Sequence, residues 1–205
     1  VKLMRSFSEI ETTVKRATKA IGFSWGVAEE VGKNVRLLEM FGLPGLKNIN
    51  QYYKIYKISN FDNIKEISLS NSPKTHYCPI LSGLNFYDQS SAISEFNELE
   101  IINLAFPILF IPFVSRTSEI IGKRIFLKMD NKEFLFNFNQ SIYSNYLSGN
   151  VLEKADKVKI QFLENKNTFT DDEWSEMYKL SEKTYVEESE GSKERTAGAG
   201  LTDND

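Results

Sequence analysis

Apolar residues recur every three or four positions through the first quarter of the chain, lose that period in the middle, and alternate further on. Ile10, Val14, Ala17 and Ile21 fall on one helical face, with Glu11, Lys15, Arg16 and Lys19 on the other. Ser8 and Glu11 have capping-box spacing, so the first helix is predicted to open at Ser8. Gly22 is placed to end it in the left-handed conformation. A second helix is predicted from about Ser24 to Phe41, with Ala28, Val31, Val35 and Leu38 as its buried stripe and Trp25 as a core anchor. Gly42 and the turn-forming Leu43-Pro44-Gly45 follow, so the two helices should pair as an antiparallel hairpin. A third helix is expected over Asn50 to Ile58, where Tyr52, Tyr53 and Tyr56 cluster.

Ser68 to Lys74 reads as a loop, and Ile80 to Phe86 as a strand. The apolar run Leu99 to Ile111 suggests one or two buried strands. Proline suits a first helical turn but not a helix interior, which predicts a helix from Pro112 to Ile121. Arg124 to Met129 and Glu133 to Phe138 flank Asp130-Asn131-Lys132 and predict a hairpin. Val158 to Leu163 is a further strand. Thr170 and Glu173 form a second capping box that starts the last helix, with Trp174, Met177, Tyr178 and Ser181 on its inner face. The fold class is therefore α+β: an N-terminal helical hairpin, a central mixed or antiparallel sheet, a C-terminal helix and a Gly-rich tail. Residues 1–186 are expected to form one globular domain, and residues 187–205 the Gly- and acid-rich tail.

Composition narrows the function classes. The chain has 205 residues, a net charge of −3 and 41% hydrophobic residues. That balance offers no basic face for nucleic acid and no polybasic signal for a membrane surface. The stretch Leu104 to Val114 is too short to span a bilayer and contains Pro107 and Pro112. The N-terminus lacks the apolar core of a signal peptide. One cysteine, Cys78, allows no intrachain disulfide and fits a reducing compartment, so a cytoplasmic location is expected. One histidine, His76, cannot complete a Cys/His zinc site.

Ser24 to Lys33, reading SWGVAEEVGK, resembles the N-terminal signature of a bacterial family known only as domain of unknown function 3726. Tyr77 to Gly83 and Pro107 to Arg116 are similar to its middle blocks. Thr184-Tyr185-Val186 and Ala197 to Asp205 are similar to its C-terminus. The resemblance implies no established activity.

Candidate chemistry falls in three places. In the tail, Ala197 to Gly200 carries no bulky side chain, so the backbone at Gly198 and Gly200 is open to close approach. Thr202, Asp203, Asn204 and Asp205 add oxygen acceptors, and the tail is expected to fold over a pocket or dock on a neighbouring subunit. A polar, frayed terminus is the commoner fate of such a segment. Calcium-loop spacing is missing from these acids, so no metal is assigned. His76 and Cys78 are two apart, which on a strand puts them on one face and makes them weak catalytic candidates; a packed, inert cysteine is the commoner case. Arg116, in the first turns of a helix, could grip a carboxylate or phosphate, although most arginines sit at the surface.

Glu29 and Lys33 are an ordinary i,i+4 pair, and Gly26 and Gly32 are expected to mark close packing of the second helix. No cofactor is predicted, because P-loop, Rossmann and zinc patterns are missing. Two function classes stay open. One is a protein that binds or acts on a small polar metabolite. The other is a non-catalytic subunit of a homo- or hetero-oligomer whose tail completes another chain's site.

Overall fold

A computed structural model describes residues 4–56, 61–146 and 148–185. The chain divides into two units, Val1–Asn165 and Lys166–Asp205. The fold is α+β.

The first unit opens with α1 (Phe7–Ile21) and α2 (Trp25–Met40). Their helical signals are local and strong. Ser6, not Ser8, caps α1: its hydroxyl accepts from the Glu9 amide at 3.2 Å, and the Glu9 carboxylate accepts from the Ser6 amide at 2.8 Å. Ser6-x-x-Glu9 and Ser8-x-x-Glu11 are the same motif two residues apart, and the earlier frame prevails. Thr18, not Ala17, is buried on the inner face, which it tolerates because its hydroxyl donates to the Val14 carbonyl at 2.7 Å and meets the Tyr53 hydroxyl. Gly22 ends the helix at φ 118°. Ser24 caps α2, and Ala28, Val31, Val35 and Leu38 are all buried as the stripe requires. Trp25 is 57% exposed rather than a core anchor; the Lys19 ammonium lies 5.6 Å from its ring centroid.

Two changes follow in the middle of the chain. The third helix, α3 (Gly45–Tyr56), starts five residues before the predicted Asn50, since proline at position 44 presets its first turn; the predicted end, Ile58, lies outside the described residues. The segment predicted as a strand over Ile80 to Phe86 is a helix, α4 (Pro79–Asp88), followed by the short α5 (Ser90–Ile93). Pro79, Ile80, Ser82, Gly83 and Phe86 are its buried residues, a spacing of three and four rather than two. Gly83 permits the crossing: a Cβ there would come within 2.2 Å of the Phe113 ring.

The sheet gathers β1 (Phe61–Asp62), β2 (Ser70–Asn71), β3 (His76–Tyr77), β4 (Glu98–Ala105), β5 (Arg124–Met129), β6 (Lys132–Phe136), β7 (Ile142–Ser144) and β8 (Lys154–Leu163). Its order is β1-β3-β4-β8-β5-β6-β7, with β2 also on β4. The contacts of β1, β2 and β3 are parallel; those among β4 to β8 are antiparallel. The apolar run splits between β4 and a tight 3-10 turn, Pro107–Phe110, which leads into α6 (Ile111–Ile121). Pro112 sits in the first turn of α6 as predicted.

Helix α6 packs against α2, α4, β5 and β6, so one sheet face is covered by helices. Along β8 the residues Ala155, Val158, Ile160 and Phe162 face inward, while Lys157 and Lys159 pair with Glu100 and Glu98 at 2.6 and 2.8 Å on the open face. Among the described residues, thirty-five buried apolar side chains make one continuous core.

The second unit has one described helix, α7 (Asp171–Glu182), with the predicted Thr170/Glu173 capping box in place. Phe169 stacks on Trp174 at 5.7 Å. Among the described residues, no helix is long and apolar enough to cross a membrane.

Candidate functional site

The tyrosines of α3 point to where the sheet and helices meet. Tyr52 is fully buried, and its ring touches Phe61 at 5.4 Å and Phe106 at 5.6 Å between centroids. Its hydroxyl stands 3.0 Å from the sulfur of Cys78. Cys78 caps α4, its Sγ accepting from the Leu81 amide at 3.4 Å. Burial pushes the thiol above its ordinary value, against the hydrogen bonds from Leu81, Tyr52 and Ile80 that favour the thiolate. A reactive cysteine needs the opposite environment. His76 and Cys78 do not share a face, because β3 ends at Tyr77 and the chain turns into α4. His76 is exposed and Cys78 is buried.

His76 instead opens onto a cavity of about 360 Å³. Helix α3 supplies Gln51 and Ile55, and Phe61 comes from β1 directly opposite His76 in the sheet register. The end of β4 adds Ala105 and Phe106, and Glu153 and Lys154 close the cavity at the start of β8. The rings of Phe61 and Phe106 that line it are the same rings that pack on Tyr52.

Phe106 is the conformational anomaly of this site. It sits at φ 42°, ψ 57°, a left-handed conformation that costs a bulky residue energy. It also precedes Pro107, whose ring disfavours compact geometry in the residue before it. The amide of Phe106 donates to the Glu153 carbonyl at 2.8 Å, and the buried ring (3% exposed) fixes the turn from the other side. Strain of this kind persists where the surroundings over-determine it, and it concentrates at binding sites.

A larger, polar hollow of about 510 Å³ lies by the hairpin and the segment Asn145 to Leu152. Two of its polar side chains are already engaged: the Asn145 Oδ1 accepts from the Glu133 amide at 2.8 Å, and the Tyr146 hydroxyl donates to the Asn150 carbonyl at 2.8 Å. In the cavity at His76, no side-chain hydrogen bond or ion pair among the described residues engages Gln51, His76 or Glu153.

Arg116 lies elsewhere. Its guanidinium donates to the Glu30 carboxylate and to Asn34 Oδ1 (3.2 Å) on α2, and lies 4.3 Å from the Tyr87 ring centroid on α4. The carboxylate it grips is thus the protein's own. Glu30 also binds Lys33 (3.1 Å), which binds Glu29 (3.1 Å), which binds Lys15 of α1 (2.9 Å). The predicted Glu29–Lys33 pair is therefore one link in a ladder tying three helices. Of the two glycines of α2, Gly32 marks close packing: a Cβ there would meet the Glu11 carbonyl at 2.8 Å. Gly26 faces open space.

The tail candidates Gly198, Gly200, Thr202, Asp203, Asn204 and Asp205 lie outside the described residues. Seven cavity residues were not singled out in the sequence: Gln51, Ile55, Phe61, Ala105, Phe106, Glu153 and Lys154. The Phe106-Pro107 pair at the end of an apolar run is the one local signal that could have pointed there.

Residues 5–78 match the model of a family described as "Protein of unknown function (DUF3726)". The match includes Ser24 to Lys33 and Tyr77-Cys78, and it ends before the other blocks quoted for the resemblance. No curated protein and no solved structure matches the chain.

Proposed function

We propose that this chain, which belongs through residues 5–78 to the family described as a protein of unknown function (DUF3726), binds a small polar metabolite in the cavity at His76. One observation carries the reading: three polar side chains without partners among the described residues, Gln51, His76 and Glu153, surround an aromatic floor whose Phe106 is held in a strained backbone conformation. The volume of about 360 Å³ suits a metabolite rather than a macromolecule.

His76 is the chain's single histidine, so its imidazole resonances are an unambiguous reporter. The full chain is mixed with a protein-free extract of small metabolites, and the His76 lines are followed. A saturable shift, lost in Phe106→Ala that remains folded, supports the reading. Lines that never move, together with no retained small molecule in native mass spectrometry, refute it.

The reading extends to a bacterial cytoplasm, on the support of a buried, unbridged thiol at Cys78. Cell fractionation with an antibody to the chain tests that placement.

A further inference from the structure

Resting on the cavity reading above, the geometry points to an organic cation, a primary amine on a small apolar body, as the occupant. The charges around the cavity decide its sign. Lys154 is already satisfied: its ammonium holds Asp156 at 2.8 Å. Glu153 has no cationic partner among the described residues, so it is the uncompensated charge at the rim. An anion entering here would meet that carboxylate, and Lys154 would have to leave Asp156 to help it.

The floor favours the same sign. Two benzene rings, Phe61 and Phe106, line the cavity, and an aromatic face carries a negative quadrupole that attracts cations and repels anions. Gln51 offers an amide oxygen and His76 a ring nitrogen as acceptors for ammonium hydrogens. Ile55 and Ala105 supply apolar wall for the body of the ligand. A carboxylate, two aromatic rings and the acceptor atoms of Gln51 and His76 around one small volume together make a recognition set for an alkyl- or arylammonium group.

The test uses three probes of matched size: benzylamine, benzyl alcohol and phenylacetate. Each is titrated into the full chain while the His76 imidazole lines are followed. Wild type is compared with Glu153→Gln and Lys154→Gln, both exposed positions that leave the core intact. Benzylamine is expected to shift the lines saturably and to bind most tightly of the three. Glu153→Gln should weaken it by about tenfold, and Lys154→Gln should change it by about twofold at most. Tighter binding of phenylacetate, abolished by Lys154→Gln, overturns the cation and leaves the cavity standing. Equal binding of benzylamine and benzyl alcohol overturns it also, because charge is then not recognised. If no probe moves His76 but the metabolite extract does, the amine class falls and the cavity reading survives; if nothing moves His76, both fall.

Discussion

The hydroxyl of Tyr52 and the thiol of Cys78 stand 3.0 Å apart, one projecting from α3 and the other capping α4, and both are buried. The pair joins the helical N-terminal part to the end of β3 at the point where the Phe61 and Phe106 rings turn from the core to the cavity. It has a direct consequence for the pH dependence of stability. Burial raises both groups above their ordinary values of 10.0 and 9.0, because their charged forms are the ones that burial penalises. Below about pH 8 both are protonated, folded or unfolded, and stability is unaffected by them. As the pH rises past the unfolded values, the unfolded chain releases protons that the folded chain retains, and stability falls. Urea midpoints between about pH 8 and pH 11 should therefore decline, and Tyr52→Phe should flatten the decline above about pH 10. A native thiol that reacts with a disulfide reagent as fast as in urea contradicts this account of Cys78.

The glycines of the helices separate packing from propensity. Gly26 faces open space, so Gly26→Ala gains helix propensity alone and should stabilise the protein by about 0.5–1 kcal/mol. Gly32→Ala drives a methyl against the Glu11 carbonyl, and Gly83→Ala drives one into the Phe113 ring. Each should destabilise, Gly83→Ala by about 2–3 kcal/mol, since an aromatic ring in a packed core has little room to move. Thermal or urea unfolding of the three variants checks the order; a neutral Gly83→Ala would show that the α4–α6 crossing is looser than described.

These cases also show where sequence reading succeeds. Caps and stripes are local: Gly22, Ser24 and the Thr170/Glu173 box act through neighbours within four residues, so their pattern is visible in the chain itself. Short apolar runs are not. Ile80 to Phe86 satisfies either period, and what makes it a helix is partly Pro79 at its first turn and partly the fit of Gly83 against Phe113, thirty positions away. The cavity is less legible still. Its lining comes from α3, β1, β3, β4 and β8, each contributing one or two ordinary residues, and only the fold collects them. His76 was visible as a lone histidine, but its assignment beside Cys78 failed because the strand ends between them.

Glu30 and Arg116 form the least exposed ion pair of the ladder. Burial of Glu30 favours its protonated form; hydrogen bonds from Arg116 and Lys33 outweigh that and hold the carboxyl below its ordinary 4.5. A depressed carboxyl stabilises the fold above the unfolded value, and that stability is lost as pH falls below about 4.5 through the folded value. Glu30→Gln should therefore make acid unfolding shallower. In a double-mutant cycle with Arg116→Gln, the coupling should be about 1–2 kcal/mol, between exposed and fully buried pairs. A coupling near zero would mean that Arg116 is held by Asn34 and the Tyr87 ring instead, and is free to take an incoming anion.

The strain at Phe106 can be isolated by comparing two truncations that remove the same ring. Phe106→Ala loses the buried ring, about 3–5 kcal/mol, and keeps a Cβ in the left-handed conformation. Phe106→Gly loses the same ring but releases the backbone, because glycine adopts φ 42° freely. Glycine normally destabilises relative to alanine by increasing the freedom of the unfolded chain. Here the order should reverse, with Phe106→Gly more stable than Phe106→Ala by about 1 kcal/mol, the typical cost of a left-handed residue offset by the entropy of glycine. Urea unfolding of the two variants side by side measures the difference. If alanine proves the more stable, the backbone at Phe106 is not strained, and the case for a pre-formed cavity floor loses its conformational support.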